Sequence, residues 1–154
     1  MDATTGETLL SLARRAAEHA YVPYSSFPVG AAVLTADGSV FTGCNVENAS
    51  SGLTICAERS AVSAAVSAGH REIAEVAVSA PLVPGTTPCG ACRQVLNEFR
   101  PKDHDMTILL DDGASGFVVM LDELLPRAFG PRNLEEAAQQ NATTRQSGTE
   151  DDAR

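Results

Sequence analysis

Cys56-Ala57-Glu58-Arg59-Ser60-Ala61-Val62-Ser63-Ala64-Ala65-Val66-Ser67-Ala68-Gly69 places a thiol at the mouth of an Ala-rich helix. Val62 and Val66 form the apolar stripe, and Gly69 supplies the ending. Further along, Pro88-Cys89-Gly90-Ala91-Cys92 repeats the arrangement, with a short helix predicted over 90–99. Three thiols at Cys-x-Glu and Pro-Cys-x-x-Cys spacing can hold Zn²⁺ on three sides and leave a fourth open. That is the pattern of a catalytic zinc, whereas a structural zinc is closed by four protein ligands. Glu58, two residues past the first thiol, can reach whatever fills the opening. Three thiolates and Zn²⁺ carry a net negative charge, which two helix N-termini pointing at the site offset.

Around these segments the chain alternates. Thr4 with Glu7 resembles a capping box opening a helix whose apolar face runs to about residue 20, with Pro23 ending it. Strands are predicted over 29–34 and 40–42 around the turn Asp37-Gly38, then over 73–80, 107–110 and 117–120. A proline-bearing loop spans 81–88, and a last short helix is predicted over 121–128. The order helix, hairpin, then strands alternating with helices predicts a three-layer α/β/α fold. Its core would be a mixed sheet of about five strands. Residues 1–136 form one domain on this reading. After Asn133 little remains to bury, so 137–154 is predicted to be a disordered tail.

At 154 residues and 44% hydrophobic composition the chain suits one domain with a core of Val, Leu, Ile and Ala, since it has no Trp. Net charge is −9; three Arg against five acidic residues from 131 onward leave the body at −7. Such a body is a poor surface for polyanions, so no nucleic-acid partner is expected. No secretory signal or membrane-length apolar run is apparent, and four cysteines without a signal suit metals or cores in a reducing compartment. A cytoplasmic protein with no membrane partner is the expectation.

Each candidate has a plainer reading. The three thiols could be core residues, or a closed zinc knuckle completed by Cys44, but Glu58 and Pro88 have no necessary place in a knuckle. Glu58 could be a favourable charge at a helix N-terminus; its position after Cys56 instead suits a proton shuttle. Arg59 beside a thiolate-rich metal suits hydrogen bonding to ligand sulfur. His19, His70 and His104 match no site motif and read as surface or structural.

The chain resembles the homotetrameric class of cytidine deaminases. The resemblance runs from about residue 21 to 134 and rests on five motifs. They are Tyr-x-Pro-Tyr-Ser-x-Phe-x-Val-Gly-Ala-Ala at 21–32, Gly-Cys-Asn-Val-Glu-Asn-Ala at 43–49 and Thr-Ile-Cys-Ala-Glu-Arg at 54–59. Pro-Cys-Gly-Ala-Cys-Arg-Gln-Val-Leu at 88–96 and Leu-Leu-Pro-x-Ala-Phe-Gly-Pro at 124–131 complete them.

It implies hydrolytic deamination of cytidine and 2′-deoxycytidine by zinc-activated water, with Cys56, Cys89 and Cys92 as ligands and Glu58 as catalytic residue. It also implies that Phe27 packs on the pyrimidine, that Asn45 and Glu47 hold the ribose 3′-hydroxyl, and that Ala57 lines the substrate site. Phe129 would close a neighbouring subunit's pocket in a homotetramer. One departure concerns Ser51, where the family commonly carries an aromatic residue near the sugar. Its 5′-side recognition, and activity on other aminopyrimidines, are therefore open questions.

Overall fold

The computed structural model describes residues 3–148, with side chains described from 9 to 144. Helix α1 (Ala3–Ala17) precedes strands β1 (Gly30–Thr35) and β2 (Val40–Cys44); helix α2 (Ala57–Ser67), strand β3 (Ile73–Ser79) and helix α3 (Gly90–Glu98) follow. Strands β4 (Thr107–Leu110) and β5 (Phe117–Met120) lead into the one-turn helix α4 (Leu121–Leu124) and the longer α5 (Pro131–Gly148). The sheet order is β2-β1-β3-β4-β5. Only β3 and β4 run parallel, and the other neighbours are antiparallel. The predicted mixed five-stranded sheet is the observed one.

Alternation along the strands divides the core into two layers. Leu9, Leu10 and Ala13 of α1 pack on Ala32, Ala77 and Leu109. On the other face, Ala57, Ala61 and Val62 of α2, Leu96 of α3 and Leu121 of α4 pack on residues such as Ala31, Val33, Val76, Val78 and Ile108. Consecutive residues of one strand thus serve opposite layers. The Ala-rich composition brings α2 close to β2. A Cβ at Gly43 would meet the backbone of Ala57 and Ala61 and the side chain of Ser60, so only glycine lets α2 lie this close.

Several boundaries differ from expectation. Helix α1 stops at Ala17, and the backbone continues to Ala20 through tighter i→i−3 bonds. Thr4 lies inside that helix, and the predicted capping-box side chains fall outside the described ones. Helix α4 ends at Leu124 instead of reaching residue 128, because Pro126 disfavours helix at Leu125 and Arg127 takes φ 54°. The tail prediction needs correction over 137–148, which is helical. Pro131 at the first helical position and a run of Glu, Ala and Gln favour helix without any burial, and 132–144 are all exposed. Residues 149–154 of the expected tail lie outside the described residues.

Candidate metal centre and active site

Cys56 and Cys89 are the N-cap residues of α2 and α3, with extended backbones at ψ 156° and 167°. Cys92 sits in the first turn of α3 and is buried. Neither capping cysteine bonds its own helix through its side chain, so both sulfurs are free to face each other. The three Sγ atoms lie within 4.8 Å of one another, with Cys56 and Cys89 3.8 Å apart. Tetrahedral zinc with Zn–S near about 2.3 Å requires sulfurs about 3.8 Å apart, so the donor set fits Zn²⁺. Among the described residues Cys44 is not part of this group; its thiol donates to the His19 carbonyl at 3.4 Å. The closed-knuckle alternative therefore lacks its fourth ligand.

The electrostatics follow from this crowding. A hydrogen bond from Cys92 and the Arg59 guanidinium hold the Cys56 thiol down to about 5, while the same partnership and burial push Cys92 up. Arg59 Nη2 donates to the Thr54 carbonyl at 3.0 Å and to Cys56 Sγ at 3.7 Å. Its Nε is buried without a partner among the described residues. Glu58 is only 4% exposed, and burial raises its carboxyl above the ordinary range; the charge on Cys56 adds to this. A carboxyl whose pKa is raised by burial beside a metal-binding thiol cluster is suited to both taking and returning a proton.

Backbone pairing gathers the remaining candidates. Val46 exchanges two hydrogen bonds with Ile55, at 2.9 and 3.0 Å, which sets the 45–47 segment beside Cys56. Tyr21 in turn bonds Asn45 and Glu47 through its backbone at 3.0 and 2.9 Å. The loop from Tyr21 to Phe27, the 45–47 segment and the Cys56 cap thus lie side by side.

Within this rim, Asn45 Nδ2 donates to the Phe27 carbonyl at 2.9 Å and its Oδ1 accepts from Val29 N at 2.9 Å. Glu47 Oε2 accepts from the backbone of Tyr24 and Ser25 at 2.9 and 3.2 Å; the Ser25 side chain first, and then these backbone bonds, lower its pKa. Phe27 is half-buried, and Ala57 is fully buried at the first position of α2. Phe129 is different. The residue is 62% exposed, and its carbonyl is tied down by Gln94 and Asn97 of α3 at 3.0 and 3.2 Å.

The motif reading included Gly43 at the head of 43–49 but gave it no role; its missing side chain lets α2 rest on β2 and so sets the height of Cys56 and Glu58 over the sheet. Gly43 lies one residue past the strand predicted over 40–42 and inside the observed β2, so its place at the head of the 43–49 motif was the available signal. Among the described residues no histidine joins the three-thiol group: His19 is exposed, His70 packs against Phe41 with Nδ1 3.3 Å from Asp37, and His104 pairs with Asp103.

Comparison with known proteins agrees with this geometry. A family model described as "Cytidine and deoxycytidylate deaminase zinc-binding region" matches residues 3–107. The chain is 44% identical over 135 residues to a cytidine deaminase of Sporosarcina psychrophila, covering 87% of this chain and 98% of that protein. It is 45% identical over 130 residues to one of Halalkalibacterium halodurans, covering 83% and 96%. Among solved structures, a cytidine deaminase from Burkholderia pseudomallei matches with a TM-score of 0.73 and 46% identity, over 79% of this chain and 97% of that one. The chain therefore belongs to the cytidine and deoxycytidylate deaminase family, the zinc-dependent hydrolytic deaminases whose cofactor its three-cysteine cluster is built to hold.

Proposed function

We propose that the chain hydrolyses cytidine and 2′-deoxycytidine to uridine and 2′-deoxyuridine with release of ammonia. The observation that carries this is the buried Glu58 carboxyl, set two residues after Cys56 and beside a cluster of three thiols with no fourth protein ligand among the described residues. Cys56, Cys89 and Cys92 are the zinc ligands on this reading. Zn²⁺ held there supplies Lewis acidity, which makes water nucleophilic near neutral pH.

The protein's own groups do the rest. As water adds to C4 of the pyrimidine, Glu58 takes a proton from it and places it on N3; it then moves the remaining proton of the added hydroxyl to the amine, which leaves as ammonia while the C4 carbonyl forms. Burial suits it to both transfers, because its carboxyl lies above the ordinary range. Arg59 holds Cys56 through the 3.7 Å contact and offsets the excess negative charge of three thiolates. Phe27 and Ala57 line the base, and Asn45 and Glu47 shape the sugar side.

We further propose a cytoplasmic homotetramer. Tyr24, Val46, Leu53, Ile55 and Phe129 are all exposed apolar or aromatic side chains, and those from 24 to 55 flank the site. A neighbouring subunit would cover them, with its Phe129 closing the pocket. Four free cysteines suit a reducing compartment. Residues 1–136 constitute the deaminase domain.

An ultraviolet assay over cytidine, 2′-deoxycytidine, free cytosine, CMP and adenosine, with and without a chelator, tests this reading. Turnover of the two nucleosides that disappears on zinc removal is expected. Preference for CMP, or ammonia release that survives complete zinc removal, overturns it. An added cytidine analogue altered at the 5′ position of the ribose tests the exposed Ser51 side of the site.

A further inference from the structure

We propose that Arg93 is a positioning residue for the metal ligand Cys89, a role that rests on the zinc reading of the three-thiol cluster. Arg93 lies one turn beyond Cys89, and its backbone N–H bonds the Cys89 carbonyl at 2.9 Å. Long helical side chains lean toward the N-terminus, so its guanidinium folds back over the loop that leads into α3. There all three nitrogens are engaged. Nε donates to the Pro88 carbonyl at 2.7 Å, Nη2 to Thr87 Oγ1 at 2.9 Å, and Nη1 to the Leu124 carbonyl at 2.7 Å.

Two of these bonds fix the two residues immediately before Cys89, and the third anchors them to the end of α4. Cys89 has few other ties. Its side chain makes no cap bond to α3 and the residue is exposed; the preceding loop is exposed from Pro81 to Pro84, and the buried Pro88 ring is what packs directly before it. Arg59 contacts Cys56 and leaves Cys89 untouched. Arg93 thus does for the second metal-bearing loop, through backbone, what Arg59 does for the first through sulfur. A planar fork of donors is needed, because a lysine ammonium cannot span three acceptors lying in different directions. The same guanidinium joins the metal loop to the Leu124–Phe129 segment, whose Phe129 carbonyl α3 also holds through Gln94 and Asn97.

Arg93→Ala, Arg93→Lys and Thr87→Val would be compared with the unaltered protein by chelator competition for Zn²⁺ and by thermal melts of loaded and stripped protein. Arg93→Ala should weaken zinc binding about 10–100-fold, as loss of outer partners of a ligand commonly does. Arg93→Lys should stay close to Arg93→Ala, and Thr87→Val, losing one bond of three, should weaken zinc about threefold. The melting temperature should fall more for loaded than for stripped protein. Zinc affinities equal to the unaltered protein, with equal losses in both melts, would show a purely structural arginine and overturn the proposal. Full recovery by lysine would overturn it too, since charge alone would then suffice. Should Arg93→Ala fail to fold, an unchanged zinc affinity in Thr87→Val rejects the proposal by itself. Absence of zinc binding in the unaltered protein would instead reject the metal centre, an outcome read before any variant.

Discussion

The side-chain amide of Asn45 donates to the Phe27 carbonyl at 2.9 Å while its oxygen accepts from Val29 N–H. One residue beyond β2 therefore fixes the loop that leads into β1, and with it the ring at Phe27. Removing both bonds with Asn45→Ala should leave two half-buried backbone groups unpaired, each costing about 1–3 kcal/mol. The expected outcome is lower stability by urea denaturation together with a raised KM for cytidine. A normal KM would show that the Phe27 loop holds its shape without Asn45.

Glu47 bonds the same loop. Oε2 accepts the Tyr24 and Ser25 N–H groups, and on the proposed reading the same carboxylate also meets the ribose 3′-hydroxyl. Glu47→Ala should weaken nucleosides, with about 1.5–3 kcal/mol of that loss tied to the 3′-hydroxyl contact. A smaller remainder should persist for 3′-deoxy analogues, because the loop at Tyr24 also loses its acceptor. Inhibition constants for matched 3′-hydroxy and 3′-deoxy ligands check this; equal losses for both would assign Glu47 to the loop alone.

Glu58→Gln keeps the shape and burial of the side chain but cannot carry a proton. Turnover should fall at least about 10²–10⁴-fold, with zinc content and fold retained. Single-turnover rates and elemental zinc analysis measure the two separately. Retention of more than a tenth of the rate would reject Glu58 as the shuttle.

Arg14 pairs with Asp111, tying α1 to the end of β4; Ser79 Oγ adds a 2.7 Å bond to the same carboxylate. The guanidinium first, then Ser79 and the Gly113 N–H, lower the Asp111 pKa to about 2. A folded-state pKa below the unfolded value of about 3.9 means the ion pair stabilises above that pH and loses its contribution as pH falls toward 2. Asp111→Asn should therefore cost on the order of 1–2 kcal/mol at neutral pH, allowing for the half-exposed Arg14. The difference between variant and unaltered protein should shrink as pH drops from 4 to 2. Denaturation curves at several pH values test this; a gap independent of pH would assign the cost to packing.

Helix α5 is exposed along 132–144. Removing 137–154 should therefore leave assembly and activity unchanged. Phe129→Ala, by contrast, should raise KM for nucleosides with zinc content intact, since only its ring is changed and its carbonyl stays on Gln94 and Asn97. Light scattering alongside the assay checks both. A fully active monomer would rule out a pocket shared between subunits.

The cluster of Cys56, Cys89 and Cys92 was legible in the sequence because each part is local. A thiol before an Ala-rich helix, a second thiol pair one turn apart and a carboxylate two residues on are spacings along the chain. So was the mixed sheet, since its hairpin turn, its glycine stops and its alternating apolar residues are also nearest-neighbour signals. The end of α4 was misjudged because the conformation after Leu124 depends on one proline and a left-handed Arg127. The tail was misjudged because low burial argues against a packed core and says nothing against an exposed helix.

What the chain order could not reveal is which groups from distant segments converge. Asn45 and Glu47 read as possible sugar contacts, yet much of their hydrogen bonding goes to the 24–29 loop, which only folding brings alongside. Arg93 is an ordinary helical arginine until Thr87, Pro88 and Leu124 surround it. Gly43 is an unremarkable strand glycine until α2 lies on it. Local spacing determined the metal-ligating chemistry and the order of elements. Tertiary packing alone decided how that chemistry is held, because hydrogen-bond reach is a property of space and not of sequence separation.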